Sequence, residues 1–75
     1  MIQNTLDCSG LHSPTPLLWL SRAVRNIKNG ERVEIIATDP GTATDIQIWG
    51  KHTGNMVVNS KRQNDKFIFI IEKTH

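Results

Sequence analysis

The sequence predicts an α+β fold, a two-layer α/β sandwich in the order βαβαββ with one sheet covered on one face by two helices. Three observations lead there. Four stretches, residues 2–7, 31–38, 55–60 and 66–72, read as strands, and two intervening stretches repeat apolar residues at helical spacing. Each helix is announced by a capping residue followed by proline, Ser13-Pro14 and Asp39-Pro40. A chain of 75 residues buries only about 60% of its unfolded surface, so both helical stripes must share one core and one domain spans residues 1–75.

Residues 2–7 alternate loosely, with Ile2 and Leu6 on one side and Gln3, Thr5 and Asp7 on the other. From Pro14 to about Lys28, Leu17, Leu20, Val24 and Ile27 form the buried stripe of an amphipathic helix that Asn29-Gly30 is expected to close. Leu18 and Trp19 fall beside that stripe. Residues 31–38 alternate Val33, Ile35 and Ala37 against Arg32 and Glu34. Asp39 then caps a second helix with Pro40 at its first position and Ala43, Ile46 and Trp49 on its inner face, fading towards Gly50 and Gly54. Met56, Val57 and Val58 mark a third strand, and residues 61–65 are expected as a polar turn. The run Phe67-Ile68-Phe69-Ile70-Ile71, apolar on both faces, predicts a sheet-interior strand paired with the third as a hairpin.

Composition narrows the function classes. A single cysteine, Cys8, makes no internal disulfide and fits a reducing compartment, so a cytoplasmic location is expected. The first residues show no basic and apolar leader, and the longest apolar run, five residues from Phe67, is too short to span a bilayer. The net charge of +2 is scattered over Arg22, Arg25, Lys28, Lys61, Arg62 and Lys66, which describes a solvated surface better than a nucleic-acid footprint. Binding to nucleic acid, which predicts steep salt dependence, is therefore not expected.

The stretch from Leu6 to Pro16 organises the chain. It leaves a strand through a Gly-containing turn at Gly10 and enters a helix with Ser13 as the expected N-cap and Pro14 and Pro16 at N1 and N3, positions whose N–H groups have no intrahelical partner. Ser13 would then face free amides and the positive end of the helix dipole. Leu6-Asp7-x-x-Gly10-Leu11-x-Ser13-Pro14-x-Pro16 resembles the Leu-Asp-x-x-Gly-Leu-x-Cys-Pro-x-Pro signature of the TusA/SirA family of small sulfur-carrier proteins, with Ser13 where the family has its sulfur-accepting Cys. A second stretch, Asp39-Pro40 with Asp45-Ile46 after it, is similar to the family's second motif at the expected distance. The resemblance implies the same fold, with strands of mixed direction. It also implies relay of persulfide sulfur from a cysteine desulfurase or other sulfurtransferase to an acceptor protein, in pathways such as tRNA thiolation or sulfur oxidation, and docking of larger proteins near the first helix, where Trp19 is either a partner contact or packing at the rim of the core.

The chemistry of such a carrier requires a thiolate that attacks a persulfide and holds the extra sulfur. A helix N-terminus lowers a thiol pKa from about 8.5 into a range of roughly 3.5–7.5. A serine hydroxyl keeps the position and has no sulfur-exchange chemistry. Two explanations are open, a Cys-to-Ser replacement and a natural loss of transfer. Cys8, at a strand end with no positive helix terminus, reads as a small buried hydrophobe, with a takeover of the acceptor role as the sharper alternative.

Asp7, Cys8 and His12 do not complete a metal-ligand pattern with His52 and His75, and no cofactor or metal is expected. Ser13 beside His12 lacks a Gly-x-Ser-x-Gly elbow, and no catalytic base is identified, so even a Cys-bearing version need not be an enzyme in the strict sense, and whether the chain is one stays open. His12 is a candidate for electrostatic tuning, while Asp45 is either an exposed helix residue or part of the site. The other function class is a non-transferring regulatory module that uses the same helix end to bind a protein or an anion.

Overall fold

The computed structural model describes residues 2–75. Its elements are β1 (Ile2–Cys8), α1 (Thr15–Arg25), β2 (Arg32–Ala37), α2 (Pro40–Thr53), β3 (Met56–Gln63) and β4 (Lys66–Glu72), in the predicted order. The sheet runs β1-β2-β4-β3. β1 and β2 are parallel, joined through α1, whereas β4 is antiparallel to both β2 and β3. The sheet is therefore mixed.

Alternation along each strand decides which face meets the helices. Val33, Ile35 and Ala37 of β2 are buried and stand opposite Ile71, Phe69 and Phe67 of β4. Leu20 and Val24 of α1 and Ile46 of α2 press onto this row together with Cys8. Leu20, Ile35, Ile46, Ile71 and Val33 are fully buried, and each contributes about 1.5–3 kcal/mol by leaving water. β4 lies inside the sheet, as its apolar run predicts, but its second face meets no helix. Ile68 and Ile70 stay half-buried there, opposite Ile36 and Glu34.

α2 is built as expected at its start. The Asp39 carboxylate accepts the Gly41 N–H at 3.2 Å and Pro40 occupies the first helical position. Its buried line is Thr42, Ile46 and Gly50, with Ala43 and Trp49 half-buried on either side. Gly50 permits a close approach, since a Cβ there would lie 3.4 Å from both the Asn55 carbonyl oxygen and Val57 Cγ2. The helix continues through Gly50 and ends at Gly54, whose φ of 77° closes it.

Two boundaries differ from expectation. α1 stops at Arg25, not near Lys28, because the Asn26 N–H turns back to the Ala23 carbonyl at 3.1 Å and its side chain donates to the Arg22 carbonyl at 3.0 Å. Gly30 is then a loop residue, tied to the Lys73 carbonyl at 2.7 Å, and Ile27 still reaches the core. The hairpin is also tighter than the polar composition of residues 61–65 indicates. Lys61, Arg62 and Gln63 continue β3 as an exposed edge, leaving Asn64 and Asp65 as a two-residue turn with Asn64 at φ 59°.

Candidate functional site

The loop from Ser9 to Pro14 joins β1 to α1 and lies against the start of α2. Gly10 has φ 79°, and a Cβ there would touch nothing within 4 Å, so the need for glycine is conformational. Its N–H donates to Thr38 Oγ1 at 2.9 Å, which fastens the loop to the end of β2. The Leu11 N–H closes the turn onto the Cys8 carbonyl at 3.1 Å.

Ser13 is not the N-cap. Pro14 occupies that place with Thr15 and Pro16 as the first two helical residues, and no side chain caps the helix. The reason is competition from α2. The Ser13 N–H donates to Asp39 Oδ2 at 2.8 Å and the Ser13 hydroxyl donates to Asp45 Oδ2. One carboxylate thus does two jobs, since Asp39 caps its own helix through one oxygen and holds the neighbouring loop through the other. The amides expected to face position 13 are largely gone as well. Pro14 and Pro16 have none, and the Thr15 N–H is taken by the His12 carbonyl at 3.0 Å.

Electrostatics reflect this geometry. The N–H groups of Ser13 and then Gly41 hold the Asp39 carboxyl below the usual value, with a smaller pull from nearby His12. The Thr42 side chain beside it is fully buried, and its hydroxyl makes no hydrogen bond in the structure. Cys8 is fully buried in the core, where desolvation and then the Asp7 charge push its thiol up, away from the thiolate. Asp7 in turn is held low by the Ser9 side chain and N–H. Among the described residues no three His, Cys, Asp or Glu side chains gather in a metal-holding group.

Ser13, His12, Pro14, Asp39 and Asp45 are therefore brought together at one end of the two helices, and Gly10 shapes the loop that carries them. Pro16 is buried beneath the first turn of α1. Trp19 and Leu18 stand further along α1 and are 44% and 61% exposed. Sequence reasoning missed the second role of Asp39 and the Thr38 tether. Both join elements 26 or more residues apart, a distance at which no local pattern carries a signal.

Residues 4–73 match the family model described as Sulfurtransferase TusA. The chain belongs to the TusA family. It is 39% identical over 69 residues to the Sulfur carrier protein TusA of Allochromatium vinosum, covering 92% of this chain and 91% of that one. It is 34% identical over 68 residues to the Sulfur carrier protein TusA of Pseudomonas putida strain F1, covering 91% and 85%. In structure it is similar to a SirA-like protein from Desulfitobacterium hafniense, with a TM-score of 0.84 over the whole of both chains at 18% identity, a likeness of fold. Position 13, where the signature that the chain resembles has Cys, is Ser in this chain. No helix among the described residues is long and apolar enough to cross a membrane.

Proposed function

We propose that position 13 is the carrier position of a TusA-type relay. Sulfur would pass in the cytoplasm from a cysteine desulfurase or other sulfurtransferase to a downstream acceptor protein, and Ser13 leaves this chain able to dock without accepting sulfur. The observation that supports this most is the placement of an exposed Ser13 at the tip of a loop braced by Asp39 and Asp45, the two acidic residues of the second motif. With cysteine at that place, its thiolate attacks the outer sulfur of a donor persulfide. The S–S bond of the donor breaks, the donor cysteine leaves as a thiolate, and the carrier is left as Cys-S-SH. Delivery repeats the exchange, with an acceptor thiolate as the attacking group. A hydroxyl forms no such bond.

The Ser13–Asp45 hydrogen bond favours a second reading, a non-transferring module that binds a partner protein through the same loop. The hydroxyl serves as a stronger donor to that carboxylate than a thiol does. The two carboxylates at the loop speak against an anion as its ligand. Competition separates the readings. Under the relay reading, the present chain slows sulfur loading of Ser13→Cys by an active desulfurase in proportion to its concentration, because both occupy the same donor surface. Loading that stays unchanged at a large excess of the present chain contradicts shared docking.

A further inference from the structure

We propose that the open face of the sheet is the contact surface for a second copy of this chain, and that two copies pair face to face in a weak, two-fold dimer that leaves both Ser13 loops free. Such pairing does not depend on whether position 13 carries sulfur.

The helices pack on the face that holds Val33, Ile35 and Phe69, and among the described residues no element covers the other face. Register decides what stands there. Asp7 of β1, Ile36 of β2, Ile68 of β4 and Lys61 of β3 are successive partners across the sheet and form one row. Ladder partners share a face, and strand alternation puts this row on the side away from Ile35 and Phe69. Lys61 follows the same rule. It stands between Ser60 and Arg62, whose partners Phe69 and Phe67 are on the helix side, so its side chain leaves on the open side. Along the strands from this row, Glu34 is opposite Ile70, and Arg32 is opposite Glu72, its ion-pair partner at 2.9 Å.

The order of charges selects the occupant. Read across the sheet, the row runs acid, isoleucine, isoleucine, base. A half-turn about an axis parallel to the strands, between β2 and β4, reverses that order. A second copy laid down this way brings its Lys61 over Asp7, its Asp7 over Lys61 and its Ile68 over Ile36, and it brings Arg32 over Glu72. Glu34 comes over Ile70 and keeps the Thr5 hydroxyl, 3.2 Å away, as its own partner. A half-turn about an axis across the strands is worse, since it sets Glu34 over Glu34 and Ile36 over Arg32. A partner of one sign, such as a nucleic acid or an anionic membrane, meets Asp7, Glu34 and Glu72 here as well as Arg32, Lys61 and Lys66.

Size sets the strength. Four strands about 4.8 Å apart, each about seven residues long, make a face of roughly 20 by 20 Å, and two such faces bury about 800 Å² in all, within the range of weak and transient interfaces. The Ser13 hydroxyl donates to Asp45 of α2, so the loop belongs to the helix layer and points away from the second copy.

The full chain, 15N-labelled, is followed by NMR from about 20 μM to about 2 mM, the span in which a weak dimer forms. The expected result is a set of amide shifts at Ile36, Ile68, Ile70 and Lys61 that grow with concentration, with Gly10 and Ser13 unmoved. Asp7→Lys and Lys61→Asp, both at exposed positions, each set like charges face to face at two places in the dimer. Each alone is expected to lose self-association about tenfold, whereas the two mixed pair with each other about as well as the parent chain pairs with itself. Overall repulsion does not account for the loss in Lys61→Asp, which cancels the net charge of +2. The proposal is overturned by shifts that do not change up to about 2 mM, by changes confined to the helices or to the β1 edge, or by a mixture that associates no better than either variant alone. If either variant fails to fold, the dilution series decides by itself.

Discussion

Replacing Ser13 by Cys places a thiol where the hydroxyl now meets Asp45, and that neighbour sets the direction in which the thiol pKa moves. A carboxylate in contact opposes ionisation of the thiol. Two unit charges about 4 Å apart interact by about 1 kcal/mol in water and about 4 kcal/mol at an effective dielectric constant of 20. Position 13 is exposed, so the lower figure applies, equivalent to about 0.7 pH unit at 1.36 kcal/mol per unit. The end of α1 opposes this by roughly 0.3–1 kcal/mol, weakened here because Pro14 and Pro16 lack N–H groups. The two effects nearly cancel. The Ser13→Cys thiol is therefore expected to titrate near the ordinary value of about 8.5, and adding Asp45→Asn should lower it by about 0.7 pH unit. Alkylation rate by iodoacetamide against pH reads this directly, with Cys8 silent because it is fully buried. A thiol titrating below about 7.5 with Asp45 in place, unmoved by Asp45→Asn, would refute the reasoning and restore the helix end as the dominant influence.

Gly10→Ala meets no neighbour but must hold φ near 79°, a cost of about 1–2 kcal/mol, which lowers Tm by roughly 4–16 °C for a domain of this size in thermal unfolding. The Asp39 carboxyl is held below its reference value of 3.8, so its contribution to stability is present above that pH and is lost as pH falls through the lower folded value. Asp39→Asn should therefore be less stable at neutral pH and show a flatter acid limb in a pH series of Tm; an unchanged acid limb contradicts the double role of Asp39. Thr42→Val removes a buried hydroxyl without a hydrogen-bond partner at nearly constant volume and is expected to stabilise the chain by about 1 kcal/mol in urea unfolding, whereas a loss would reveal an unrecognised partner.

Periodicity and capping chemistry carried most of the fold. Leu20 and Val24 on one helix, Ile46 on the other and the alternation of Val33, Ile35 and Ala37 are local patterns, and each maps onto the observed core. What local patterns do not hold is the order of strands. The insertion of β4 between β2 and β3 depends on which edges meet after both helices have packed. The same division runs through the site. Ser13, Pro14 and Pro16 stand out in the chain, yet the N-cap moved to Pro14 because Asp39 and Asp45, more than 25 residues away, take the backbone and the side chain of Ser13. Charges that a distant segment brings to a helix end leave no trace in the residues of that end.

Whether position 13 is the carrier position is tested most directly by intact mass. The present chain and Ser13→Cys are incubated side by side with cysteine and an active cysteine desulfurase. The predicted result is one added sulfur, removable by reductant, on Ser13→Cys alone. Sulfur on the present chain would point to Cys8, the one thiol it has, and sulfur on neither would contradict a carrier role for position 13.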